Sequence, residues 1–378
     1  MVCHLCGFDS LFVYPIYEHF KRITSDCRPW QAGGQLAQCE RCGTVQKVVD
    51  EIFQKTIAEI YTTYTMYELA EGHDQQFFDQ SCGKNIPRSE RILDWVNERH
   101  PFQKHGRLLD IGSGNGALLR IMSRMMPGWD LAASELTDKY RASIESIPRC
   151  EGLYTCPLSE IPGQFDLIIM NNVIEHIIDP REMLQQIGQK LEPKGHLLVE
   201  TVNLEQSPFD LLQADHCSHF TRTSLTHLLV SAGYTVEAAW DDCIPKELTL
   251  YAEYSGIQGE IALSYPPASK QIVSQNLDWL SRFSASAQRF RKKGEMGIFG
   301  TTIAGTWLFA ELAGDVAFFV DEDPHKINKT YLGKPVYSPQ SLPAGKRVFL
   351  AFPTPVAERV AVRLKSTRTD IEWILPPP

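Results

Sequence analysis

The run Leu108-Leu-Asp110-Ile-Gly112-Ser113-Gly114-Asn-Gly116 constrains this chain more than any other stretch. The apolar segment Arg107–Ile111 before it reads as a buried strand, and Ala117-Leu-Leu-Arg-Ile-Met-Ser-Arg124 after it reads as a helix. Glycines at 112, 114 and 116 let the backbone turn tightly and approach a ligand without a Cβ in the way. Asp110 closes the first strand, and Glu135 closes the next one, Trp129-Asp-Leu-Ala-Ala-Ser134. Further strands are predicted at Phe165–Met170 and at His196–Glu200, the latter after a turn at Pro193-Lys-Gly195. The spacers between them have the length that parallel crossovers need. A doubly wound sheet is therefore expected over about residues 85–250.

The cysteines mark a second unit. Five of the ten lie in the first 42 residues, and Cys3, Cys6, Cys39 and Cys42 form two Cys-x-x-Cys pairs. Thirty-two residues separate Cys6 from Cys39, an insertion that two knuckles joined by a hairpin tolerate. Four thiolates at ~2.3 Å complete the tetrahedron of Zn²⁺ and leave no open position, so the expected site is structural. The first residues show neither a basic n-region nor an apolar h-region, so a cytoplasmic, reducing setting is expected and disulfides are disfavoured. Cys27 and His4 have no partner at ligand spacing and read as packing or surface groups. Cys82, Cys150, Cys156, Cys217 and Cys243 read mostly as small core residues.

A chain of 378 residues exceeds what one core usually serves. Residues 49–104 carry helical spacing, with Val49, Ile52, Phe53 and Ile57 on one face and Ile92, Leu93, Trp95 and Val96 on another. Pro266-Pro267 mark a break, followed by a helix from about Ser269 to Lys292. A second α/β pattern follows: Met296–Gly300, a helix Ala304–Leu312, then strands Val316–Val320 and Val348–Phe352. The expected division is a zinc-binding unit at 1–48, an α/β core with its helical approach at 49–255, and a C-terminal Rossmann-like unit at 256–378. No apolar run reaches the ~20 residues a bilayer span needs, so no membrane partner is expected. Lys and Arg total 37 against 46 Asp and Glu, a net −9 that disfavours nucleic acid as partner.

A dinucleotide fingerprint requires Gly-x-Gly-x-x-Gly, and here the third glycine comes one residue early. That spacing suits S-adenosylmethionine (SAM), which has no pyrophosphate and whose amine can pair with Asp110. Glu135 can accept hydrogen bonds from ribose hydroxyls. The strand from Phe165 ends Asn171-Asn172, an edge expected to face the methionine portion. With Val173-Ile-Glu175-His176-Ile-x-Asp179-Pro180 after the fourth strand, the chain resembles the class I SAM-dependent methyltransferases. The candidate cofactor residues are Asp110, Gly112, Ser113, Gly114, Gly116, Glu135, Asn171 and Asn172. In that family the loop near Thr155–Leu158 often lies against adenine.

The order of four-cysteine ribbon, SAM core and second Rossmann-like unit looks like the sugar-nucleotide C-methyltransferases of deoxysugar biosynthesis, the TDP-sugar C-3-methyltransferase type. That resemblance implies a Tyr-x-x-Tyr segment, matched by Tyr64 and Tyr67, and a histidine after the fourth strand, matched by His176. It also implies a Tyr-x-Glu-His segment whose histidine is the base. Here the text is Gln213-Ala-Asp215-His216, which keeps His216 and replaces Tyr by Gln213. A histidine near neutral pKa suits removal of a proton beside a carbonyl, and Asp215, Tyr64 or His176 would orient it or hold the enolate oxygen. The expected substrate is a small nucleotide-linked sugar. O-methylation of a sugar or other small molecule, a zinc-ribbon RNA methyltransferase and a non-catalytic SAM-fold binding protein are the alternatives. The C-terminal unit is expected to clasp the nucleotide sugar or to be structural. Oligomeric state is left open, with a monomer compatible.

Overall fold

The run around the glycine loop builds the centre of a seven-stranded sheet, in the order Cys150–Tyr154, Trp129–Ser134, Gly106–Ile111, Phe165–Asn171, Leu191–Val202, Glu247–Tyr254, Tyr234–Trp240. The first five strands run parallel, and Glu247–Tyr254 runs antiparallel to both of its neighbours, so the sheet is mixed. Leu108, Leu109, Leu131, Ile168 and Leu197 are all buried, as strands covered on both faces require. The expected turn at Pro193–Gly195 is a bulge within one long strand. Phe165 pairs with Leu191 and Leu167 with His196, which ejects the residues between, Lys194 among them at φ +67°. The structure is a computed structural model describing residues 2–65, 69, 73–79, 83–259 and 267–378. Tyr67, Cys82 and Pro266 lie outside the described residues.

The N-terminal region is stitched into the core. Strands Leu11–Val13, Leu36–Cys39 and Val45–Lys47 form an antiparallel sheet whose fourth strand, Ser218–His219, comes from the segment after the long strand of the main sheet. His4 adds a hydrogen bond from its ring to Ser218 Oγ at 3.1 Å. Helix Glu51–Thr62 starts at Asp50, whose side chain accepts from Phe53 N. Its buried face is Phe53, Thr56 and Ile60, while Ile52 is 70% exposed. The face read from the sequence was thus rotated, because apolar periodicity does not say which neighbour the helix meets. A hairpin, Gln76–Asp79 with Lys84–Pro87, also interrupts the stretch expected to be helical.

The C-terminal helix Pro267–Arg291 carries the expected stripe, with Val273, Leu277, Leu280, Phe283 and Ala287 buried. Beyond it a six-stranded sheet is ordered Thr330–Tyr331, Lys334–Tyr337, Phe319–Val320, Gly297–Phe299, Arg347–Leu350, Glu372–Ile374. All neighbours are parallel except the first pair. Helix Ile303–Glu311 packs so closely on the turn after strand Gly297–Phe299 that a Cβ on Gly305 would lie 1.9 Å from Gly300 O. One buried cluster joins Tyr17 from the N-terminal region, Leu211 from the middle and Phe283 and Trp307 from this unit. Three sequence regions therefore share a core, and a cavity opens where they meet.

Candidate active site

The glycine loop has the conformation its sequence demands. Gly112, Gly114 and Gly116 sit at φ +70°, +52° and +81°. A Cβ on Gly112 would lie 2.4 Å from Val173 Cγ2, so the loop tolerates no side chain there. Glu135 accepts from Gly114 N at 2.8 Å and Leu136 N at 2.9 Å, which ties the loop to the end of the second strand. Asp110 is 2% exposed, and burial, then the charge of Glu135, raises its carboxyl well above the usual range. Ser113 Oγ is buried with no hydrogen-bond partner among the described residues.

Asn171 and Asn172 are held by a residue the sequence did not single out. Arg88 Nη1 donates to Asn171 Oδ1 at 2.8 Å and Nη2 to Asn172 Oδ1 at 3.1 Å. The guanidinium also binds Glu247, with Nε donating at 2.8 Å, and lies 3.6 Å from Glu200 Oε1. With the amide oxygens so engaged, each NH₂ is left for other partners. Nothing in the local text at Arg88 signals this role, which depends on strands more than eighty residues away.

A cavity of 590 Å³ lies beside this edge, between the main sheet, the hairpin loop at residues 25–28 and the loop at 301–304. Two histidines, His176 and His216, line it, and His219 lies buried behind His216. His216 Nδ1 lies 2.8 Å from Asp210 Oδ1, and His219 Nδ1 lies 2.7 Å from Asp210 Oδ2. Burial opposes the charge on Asp210, but the pull of His219 and the hydrogen bonds of both imidazoles hold its carboxyl well below the usual range. An ionised carboxylate only accepts, so both Nδ1 atoms carry protons and Nε2 is the His216 nitrogen not engaged by Asp210. His176 Nδ1 donates to Asp215 O at 3.0 Å and sits 3.1 Å from Tyr61 OH, and its ring is 4.7 Å from that of His216. Burial, then His216, lowers the His176 pKa, so its Nε2 is an acceptor as well.

Two expectations need correction. Asp215 does not orient His216. Its carboxylate accepts from Ser25 N at 2.9 Å and from Ser25 Oγ, and only its Oδ2 approaches His176, at 3.7 Å. The two residues are adjacent in sequence, and the backbone points their side chains apart. Asp210, six residues upstream in the 3-10 helix Pro208–Leu212, takes the orienting position. Tyr64 likewise meets Ser25 Oγ, at 3.1 Å, rather than either histidine. Gln213, standing where the resemblance has Tyr, donates to Asp210 Oδ1 at 3.3 Å. His219, held by the same carboxylate, belongs to the same buried group.

Glu175 is 2% exposed, and among the described residues neither carboxylate oxygen closes a hydrogen bond, the Thr201 hydroxyl nearby included. Burial pushes its pKa up to about 7, with His176 partly opposing. Its raised pKa stabilises the fold fully below about 4.5, and that stabilisation is lost as pH rises through about 7. Replacing Glu175 by Gln is therefore expected to leave the urea midpoint unchanged near pH 4.5 and to raise it at pH 8, by the equivalent of about 2–3 kcal/mol. A variant no more stable than wild type at pH 8 contradicts this. The ligating atoms of Glu175, His176 and His216 lie within 4.8 Å of one another, as do the sulfurs of Cys3, Cys6, Cys39 and Cys42. Either set is chemically able to hold a cation.

Residues 85–239 match the family model described as a methyltransferase domain. That stretch is a Rossmann-like methyltransferase domain. Over 115 residues it is 34% identical to the ubiquinone biosynthesis O-methyltransferase of Caulobacter sp. (strain K31), covering 28% of this chain and 44% of that protein. The mitochondrial ubiquinone biosynthesis O-methyltransferase of Schizosaccharomyces pombe is 28% identical over 128 residues, covering 32% and 46%. The chain thus spans about half the length of the curated relatives it matches. A solved structure of the 1,6-didemethyltoxoflavin-N1-methyltransferase of Burkholderia thailandensis is 16% identical, with a TM-score of 0.39, covering 58% of this chain and 98% of that one. The methyltransferase domain contributes Asp110, the glycine loop, Glu135, His176, Asp210 and His216. The Ser25 hairpin and the loop at Thr301 lie outside it.

Proposed function

We propose that the chain is a SAM-dependent methyltransferase acting on a small polar acceptor in the 590 Å³ cavity, with His216 as the base. The observation that carries this reading is the 2.8 Å contact between His216 Nδ1 and Asp210, which holds a proton on Nδ1 and leaves Nε2 as the nitrogen that meets the acceptor at the cavity wall. The cofactor site fits SAM. Gly112 is shaped so that no Cβ is tolerated, and Glu135 has lone pairs beyond the two N–H groups it accepts, enough for ribose hydroxyls. Asp110 would meet the methionine ammonium. SAM, when bound, supplies an electrophilic methyl group that needs no activation.

The chain's own residues then handle the proton. His216 Nε2 takes it from the acceptor, and Asp210 stabilises the imidazolium that results. His176, neutral and with its Nδ1–H used on Asp215 O, accepts from a hydroxyl of the acceptor rather than holding an enolate oxygen. The favoured acceptor is a keto sugar linked to a nucleotide and methylated on carbon. Arg28, Lys326 and Lys329 on the cavity wall suit phosphates, and the C-terminal sheet, as a second Rossmann-like unit, would close over the nucleotide. O-methylation is the second reading, favoured by the names of the matched relatives. A mass-spectrometric screen of nucleotide keto sugars with SAM tests both. C-methylation of an acceptor deuterated beside the carbonyl adds one methyl and loses one deuterium, O-methylation keeps the deuterium, and no methyl gain across sugars rejects the sugar class.

Glu135→Ala is expected to weaken SAM binding by about 100-fold or more, since two hydrogen bonds to a carboxylate are lost. Calorimetric titration with SAM reads this directly, and an unchanged Kd rejects the ribose placement. The same reading assigns structural Zn²⁺ to the four cysteines. Thiolates at ~2.3 Å from a tetrahedral centre lie about 3.8 Å apart, close to the observed 3.4 Å for Cys3–Cys42 and 3.6 Å for Cys6–Cys39. Both knuckles repeat one backbone device, with Gly7 N donating to Cys3 O and Gly43 N to Cys39 O, each at 3.0 Å.

A further inference from the structure

Lys47 ends the strand Val45–Lys47 of the N-terminal sheet and is 1% exposed. An amine buried so deeply is costly unless its hydrogen bonds are met. Its Nζ donates to Leu211 O at 2.6 Å, lies 2.9 Å from His219 Nε2, and sits 4.6 Å above the ring of Tyr17. The directions of these bonds follow from Asp210, whose two carboxylate oxygens accept the Nδ1 protons of His216 and His219. A neutral His219 then has only a lone pair on Nε2, so Lys47 is the donor there. The result is one continuous buried chain, from Lys47 through His219 and Asp210 to His216 at the cavity.

We propose that Lys47 is a positioning residue for His216: by donating to His219 Nε2 it holds the His219 proton on Nδ1 and keeps that ring neutral, so that the Asp210 carboxylate stays aimed at His216 and its charge is left for that ring. The proposal rests on His216 as the base. Without that donor, His219 is free to gain a second proton on Nε2. A cationic His219 would share the charge of Asp210 and weaken its hold on the His216 imidazolium. Burial, with Lys47 adding to it, lowers His219 to about 4, which keeps it neutral at working pH. The groups facing this chain are few. Asp210, Lys47 and His216 face His219, while His176 and Gln213 face His216. Arg22, Asp215 and Cys217 act on Lys47 from further off. This arrangement makes the N-terminal cysteine-bearing sheet part of the machinery that sets up the base.

The test needs no acceptor. Nitrogen-15 NMR of the full chain, labelled at histidine and assigned by single-histidine variants, reads tautomer and protonation of each ring. In the wild type, the His216 and His219 rings are both expected to carry a proton on Nδ1, and His219 is expected as the neutral tautomer, not titrating above about pH 5. In Lys47→Met, His219 is expected to titrate at least one pH unit higher and the His216 ring signals to shift. Lys47→Gln, which keeps a donor without the charge, is expected to restore the Nδ1–H tautomer. A proton on Nε2 of His219 in the wild type near neutral pH overturns the proposal, even where a variant fails to fold. An unmoved His219 titration in Lys47→Met overturns it equally. Loss of turnover in a His216 variant tests the base reading separately, so the two failures are distinguishable.

Discussion

Replacing His216 by Asn is expected to lower turnover by about 10²- to 10⁴-fold, the usual contribution of a positioned base. SAM affinity should stay as in the wild type, because none of the loop residues 112–116 or Glu135 touches this side chain. Asn is the informative replacement. Its amide can still donate to Asp210 Oδ1 from near the position of His216 Nδ1, so the buried carboxylate is not left unpaired. Calorimetry with SAM and a methyl-transfer assay on the acceptor found by mass spectrometry read the two quantities separately. A variant turning over within threefold of wild type removes His216 as base. One that loses SAM binding as well points to a collapsed site.

The second large effect concerns the cysteine cluster. Cys39→Ser, or a strong chelator that strips the proposed zinc, is expected to cost several kcal/mol of stability and to lower the melting temperature by about 10 °C or more. Cys39 is fully buried, and its sulfur accepts from Arg41 N and Cys42 N, both at 3.4 Å. The damage should not stay local. Strand Val45–Lys47 follows directly from this knuckle and pairs with Ser218–His219, next to the cavity histidines. Loss of the cluster therefore loosens the strand that carries Lys47. Elemental assay of the purified protein is expected to find one zinc per chain. Zinc-free protein with an unchanged melting curve would sink the assignment.

The elements read correctly from the sequence are those specified by their own residues. Trp129–Ser134 was expected with the bounds it has, since a run of apolar residues between turn signals means the same thing in any context. The glycine loop was equally legible, because positive φ at Gly112, Gly114 and Gly116 is a local demand. The helix face around Ile52 was misread, and the hairpin at Gln76 was not seen, because both depend on what packs against them. His216 and His176 were found through motif resemblance and do meet, with rings 4.7 Å apart. Asp210 was not found. It sits in Pro208-Phe-Asp-Leu-Leu, a stretch with no periodic or motif signal, and gains its role only when a short helix turns it toward two histidines.

The sequence by itself determined the strand–glycine–helix core, the acids at its strand ends and the two cysteine knuckles. In each of these the chemistry is carried by neighbours along the chain. The tertiary structure decided the rest: that Asp210 rather than Asp215 pairs with His216, that Arg88 holds Asn171 and Asn172, and that Lys47 reaches His219 from 172 residues away. Hydrogen bonds and burial act over a few ångströms of space, whatever the separation along the chain. Only the folding of three regions around one core brings those partners within range.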